Sequence, residues 1–108
     1  MVTISNDNDV VTLINVFTVA PEHQQRLVEV LVNATQTVMR NQPGYVSANI
    51  HKSLDGTRVT NYAQWRSQEA FDAMLQNQEA AEHMGEVARI AQRFEPHLYE
   101  LSFVDEVS

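Results

Sequence analysis

The chain contains no cysteine, which excludes disulfides, thiol nucleophiles and thiolate metal sites. Glycine is scarce: Gly44 and Gly56 fall in turn sequences and Gly85 in a helical stretch, so no Rossmann or P-loop phosphate cradle can be assembled. A Gly-x-Ser-x-Gly nucleophile elbow is absent, and no paired carboxylates suited to glycosidic chemistry stand out. Basic residues are few, seven Lys and Arg against fourteen Asp and Glu, for a formal net charge of −7. Phosphate recognition needs clustered Lys and Arg, so nucleic acid is excluded as a partner and anionic membrane surfaces are disfavoured. No apolar run approaches the ~20 residues of a membrane span. Residues Met1 to Asp9 carry neither the basic start nor the apolar core of a secretory signal. A cytoplasmic location is the expectation.

What remains is an ordinary globular balance, 44% hydrophobic and 19% charged over 108 residues, enough for one domain. Residues 1–9 read as a flexible lead-in, 10–104 as the domain and 105–108 as a tail. Val10 to Val19 is β-branched and apolar on both rows, as in a strand covered on both faces. Pro21 opens a helix whose Leu27, Leu31, Ala34 and Val38 form one apolar stripe, ending before Pro43-Gly44. Tyr45 to Ser53 alternates Val46, Ala48 and Ile50 against Tyr45, Ser47, Asn49 and His51. Asp55-Gly56 then predicts a tight hairpin into a third strand, Val59 to Trp65. Ser67 is a good N-cap for a second helix that Asn77 restarts or kinks, with Met84, Val87, Ala88 and Ala91 continuing its apolar side. His97 to Val104 reads as the last strand.

This order, β-α-β-β-α-β, predicts an α+β ferredoxin-like domain with an antiparallel sheet and both helices on one face. The other face, lined by Thr12, Ile14, Val16, Tyr62 and Gln64, is too apolar to leave wet, so a homodimer through it is expected.

The third strand draws the eye chemically. Its rows are Val59, Asn61, Ala63, Trp65 and Thr60, Tyr62, Gln64, so an amide shares a face with the only tryptophan. Asn15 is a second amide within the row Val11, Leu13, Asn15, Phe17, Val19. A buried amide left unpaired costs roughly 1–3 kcal/mol, so each must meet a protein group or a ligand. Of the four histidines, His23 and His97 suit solvated or local roles, His51 lies on a polar row, and His83 sits beside an apolar helical stripe. None forms a metal-ligand pair at helical spacing, so no metal site is expected. Amides, a tryptophan, a tyrosine and a histidine around an apolar space suit a flat organic ligand with one or two polar oxygens.

The run Asn61-Tyr62-Ala63-Gln64-Trp65-Arg66-Ser67-Gln68-Glu69-Ala70-Phe71 resembles the antibiotic biosynthesis monooxygenase family, especially the small cofactor-independent enzymes of the actinorhodin and nogalamycin pathways. Thr12 to Val19, Pro43 to His51 and Asp55-Gly56-Thr57 extend the resemblance over about residues 10 to 104. It implies a dimeric α+β barrel that oxidises a small electron-rich aromatic (an anthrone, phenol or hydroquinone) with O2 and no cofactor. Asn61, Trp65 and His51 would then be catalytic, with Asn15, Phe17, Tyr62, Phe71 and His83 binding substrate. In the actinorhodin-type enzyme a tyrosine follows the tryptophan by six; here that place is Phe71, and Tyr62, His83 or water would have to replace it. An arginine of that enzyme's second helix has no clear counterpart. The same superfamily contains haem-degrading enzymes, and Asn15, Trp65 and His83 fall near the places of their asparagine, tryptophan and axial histidine. Haem binding, quinol oxidation and a non-catalytic small-molecule-binding module are the alternatives.

Overall fold

The computed structural model describes residues 10–107; the expected lead-in, residues 1–9, lies outside the described residues, as does Ser108 at the end of the expected tail. Four strands, β1 (Val11–Thr18), β2 (Tyr45–Lys52), β3 (Arg58–Trp65) and β4 (Arg93–Tyr99), form one antiparallel sheet in the order β2-β3-β1-β4. Three helices, α1 (Gln24–Thr37), α2 (Gln68–Leu75) and α3 (Gln78–Ile90), cover one face, which is the ferredoxin-like α+β arrangement.

The caps follow from side-chain chemistry. Pro21 starts a single 3-10 turn, Pro21–His23, which feeds α1. The Ser67 hydroxyl accepts the Ala70 N–H at 3.0 Å, and the Asn77 carbonyl accepts the Ala80 N–H at 3.0 Å. Asn77 therefore starts a separate helix rather than bending one. In the β2–β3 turn, Gly56 takes φ +81 and the Asp55 carboxylate accepts from the Ser53 hydroxyl and from the Thr57 N–H and hydroxyl. Those three donors hold the Asp55 carboxyl at about 2, below its ordinary 3.8.

The core lies between sheet and helices in two patches. Phe17, Val19 and Val59 pack on Leu27, Leu31 and Val87; Leu13, Ala63 and Trp65 pack on Val38, Phe71, Met74 and Ala80. Leu27, Val59 and Val87 are wholly buried, and truncating such a leucine to alanine costs ~2–5 kcal/mol.

Two sequence expectations change here. The last strand is Arg93–Tyr99 rather than His97 to Val104. The Gln92 N–H donates to the Thr18 carbonyl at 2.8 Å, so pairing with β1 begins as soon as α3 ends. β4 is an edge strand, where Pro96 is tolerated because its missing N–H can face outwards. The second change concerns Tyr45. Simple alternation puts it with Ser47, Asn49 and His51, but Tyr45 pairs with Trp65 while Ser47 pairs with Gln64. Val46 is thus the extra residue of a β-bulge, and the bulge turns Tyr45 to the helix-covered side.

Candidate functional site

Strand register decides which predicted residues meet. Asn15 and Asn61 are direct cross-strand partners on β1 and β3, with Leu13 opposite Ala63 and Phe17 opposite Val59 on the same face. Helices cover that face, but they do not fill it. Between sheet and helices lies a partly open cavity of about 390 Å3. Its floor is Leu13, Asn15, Phe17, Asn61, Ala63 and Trp65. The helices contribute Leu31, Ala34, Phe71, Met74, Met84 and Val87, and β4 closes a side with Phe94, Pro96 and Leu98. Met39, Met74 and Met84 give the wall polarizable, adaptable side chains.

The amides supply the polarity. Asn15 is 5% exposed, and the Oδ1 atoms of both Asn15 and Asn61 are sealed from solvent with no hydrogen-bond partner. Two unpaired buried amide oxygens side by side would each cost ~1–3 kcal/mol if nothing ever met them. Each amide can offer its oxygen or, turned over, its two N–H donors to a ligand. Trp65, 2% exposed, lies on the same face four residues further along β3, between two rings. Tyr45 meets it edge-on at 5.7 Å between centroids and Phe71 at 6.1 Å.

Of the residues expected at the site, Asn15, Phe17, Asn61, Trp65 and Phe71 line the cavity together. His51, Tyr62 and His83 do not. His51 pairs with Thr60 and is exposed on the far face of the sheet, because the residue of β2 opposite Asn61 is Ile50. Tyr62 pairs with Ile14 and Asn49 on that same far face, one residue out of phase with Asn61. Neither of the two proton-relay candidates named for Phe71's missing hydroxyl is therefore in the cavity. His83 precedes the lining residue Met84 on α3, and its Nδ1 lies 3.9 Å from Glu86 Oε1. An axial haem ligand must aim a ring nitrogen into the cavity, so the donor set does not fit haem. Among the described residues, no three His, Cys, Asp or Glu side chains gather as metal ligands, and no helix is long and apolar enough to cross a membrane. His97 touches the cavity too, although its register puts its ring on the far face next to Tyr99. Tyr45 is the lining residue that alternation missed, and only the bulge would have signalled it.

A ferredoxin-like sheet here carries an amide pair and an indole in an apolar cavity, the lining expected of a small-molecule site. Residues 10–86 match the antibiotic biosynthesis monooxygenase family, and the chain belongs to it. It is 54% identical over 74 residues to the tetracenomycin-F1 monooxygenase of Streptomyces glaucescens, an alignment covering 68% of this chain and 66% of that protein, slightly under two thirds of the relative's length. Among solved structures, the monooxygenase from the ActVA-Orf6 gene of Streptomyces coelicolor, in complex with nanaomycin D, superposes with a TM-score of 0.85. That match has 29% identity and covers 95% of this chain and 97% of the other. SnoaB, a cofactor-independent oxygenase from Streptomyces nogalater, superposes with a TM-score of 0.76 at 25% identity, covering 89% of this chain and 96% of its own.

Proposed function

We propose that this protein is a cofactor-independent monooxygenase that oxidises a small electron-rich aromatic, of the anthrone, phenol or hydroquinone type, with O2 in polyketide tailoring. The observation that carries the reading is the pair of buried, unpartnered amide oxygens, of Asn15 and Asn61, in an apolar cavity that Trp65 also lines. Membership of the family and likeness to the tetracenomycin-F1 monooxygenase support it.

The chemistry asks little of the protein beyond a dry, shaped site. An anthrone loses a proton from its CH2 carbon to water at the cavity mouth, leaving a delocalised carbanion with its charge on the ring oxygen. Amide N–H groups in a water-poor cavity stabilise that oxyanion more than water does, which lowers the barrier to its formation. The carbanion passes one electron to O2; the radical and superoxide join through a C–O bond; the peroxide is protonated and loses water. The CH2 becomes C=O, one oxygen atom enters the product and the other leaves as water, so electrons balance without flavin, haem or metal. Asn61 is assigned to the oxyanion and the oxygen intermediate, Trp65 to a second donor and an aromatic wall, and Asn15, Phe17 and Phe71 to substrate contact.

The protein works as a homodimer in this reading, with the far face, where Ile14, Val16 and Tyr62 are only half-buried, as the seam. Oxygen uptake by metal-free protein across anthrones, naphthols and hydroquinones tests the activity. Uptake with at least one class is expected, and none above buffer rates would end the reading.

A further inference from the structure

The monooxygenase reading leaves the cavity without a hydroxyl at Phe71, yet a tyrosine lines another wall. Among the described residues lining the cavity, Tyr45 and His97 are the titratable ones, and the ring of His97 belongs to the far face. Tyr45 is placed by unusual backbone. Gly44 before it takes φ +86, and a Cβ there would lie 2.4 Å from Ala70 Cβ, so no other residue fits. The Gly44 carbonyl accepts the Arg66 N–H at 2.8 Å, tying the turn to the end of β3. The bulge at Val46 follows at once and reverses the facing of Tyr45 relative to the rest of β2. Bulges of this kind recur next to active sites, where they re-aim one side chain. The ring then rests edge-on against Trp65, while its hydroxyl has no hydrogen-bond partner among the described residues.

We propose that Tyr45 is a catalytic residue of this site, its hydroxyl donating a hydrogen bond to the oxygen of a bound aromatic substrate as that oxygen becomes an anion. The proposal rests on the monooxygenase reading and adds to it the donor that Phe71 cannot supply. Burial raises the phenol above its ordinary range, an effect partly opposed by the nearby Arg40 guanidinium, so Tyr45 stays protonated and able to donate at neutral pH. Arg40, exposed in the turn before β2, adds positive field on the same side.

The test compares wild type, Tyr45→Phe, which keeps the ring contact with Trp65, and Tyr62→Phe as a far-face control. Two probes are used: 1,8-dihydroxyanthrone for oxygen uptake, and its already oxidised counterpart 1,8-dihydroxyanthraquinone for equilibrium binding, with phenolate absorption as the readout. Tyr45→Phe should lower kcat about 100-fold with little change in KM. It should also raise by about one the pH at which the bound quinone ionises, because the anion loses a donor. Tyr62→Phe should match wild type in both. If Tyr45→Phe retains wild-type kcat and the same ionisation while wild type is active, this inference is overturned and the monooxygenase reading stands. If wild type consumes oxygen with none of the anthrones, naphthols and hydroquinones and does not bind the quinone, the monooxygenase reading falls and this inference with it.

Discussion

Strands β1 and β3 carry two polar pairs, one on each face of the sheet, and the two are treated in opposite ways. On the far face Thr12 and Gln64 are cross-strand partners, 4% and 2% exposed, and the Gln64 amide donates to the Thr12 hydroxyl at 3.4 Å. Three residues along, on the helix-covered face, Asn15 and Asn61 are partners in the same ladder, yet both amide oxygens are left without a bond. Both pairs sit in the same antiparallel ladder, so backbone pairing does not separate them. The satisfied pair fastens the sheet. The unsatisfied pair borders a cavity, and under the proposed function it is held ready for a ligand, the pattern expected where stability is given up for function.

That contrast can be broken from either side. The largest effect is expected on the near face, where Asn61→Ala should cut oxygen uptake with 1,8-dihydroxyanthrone by ~100-fold or more, as removal of an oxyanion donor does. Thermal unfolding should be unchanged or slightly higher, since no protein partner is orphaned. Next comes the far face: Gln64→Leu strands the Thr12 hydroxyl and should lower stability by ~1–3 kcal/mol in urea melts, while kcat stays within a few-fold. Trp65→Phe keeps most of the packing but removes the indole N–H, and a roughly tenfold fall in kcat is expected, about 1.4 kcal/mol of barrier. The smallest effect lies outside both pairs. The Asp55 carboxyl is depressed to about 2, so its contribution is present above its ordinary 3.8 and lost as pH falls from there towards 2. Asp55→Asn should flatten the dependence of the melting temperature over that window, and only slightly because the group is exposed.

Much of this was legible from residue order because period-two alternation is strict in β1 and β3. It put Asn15, Asn61 and Trp65 on one face, and Thr12, Tyr62 and Gln64 on the other, as the register has them. The Ser67 and Asn77 caps and the Asp55-Gly56 turn were equally readable, since each depends on local chemistry. Errors came where local pattern is broken or overruled. A single bulged residue, Val46, moved Tyr45 into the cavity wall, and no propensity marks that insertion. Pro96 disguised an edge strand, and capture of Gln92 by β1 set its start. His51 and His83 were given site roles through the resemblance; the facing of β2 and the turn of α3 leave both outside the lining.

The most direct check takes both near-face amides at once, in Asn15→Leu/Asn61→Leu, and reads stability and oxygen uptake on the same metal-free sample. Filling that site with matched apolar side chains should leave the protein as stable as wild type or more so, while uptake with 1,8-dihydroxyanthrone falls to the buffer rate. A double variant that melts well below wild type yet still consumes oxygen at the wild-type rate would show that the amides hold the fold together and play no part in chemistry.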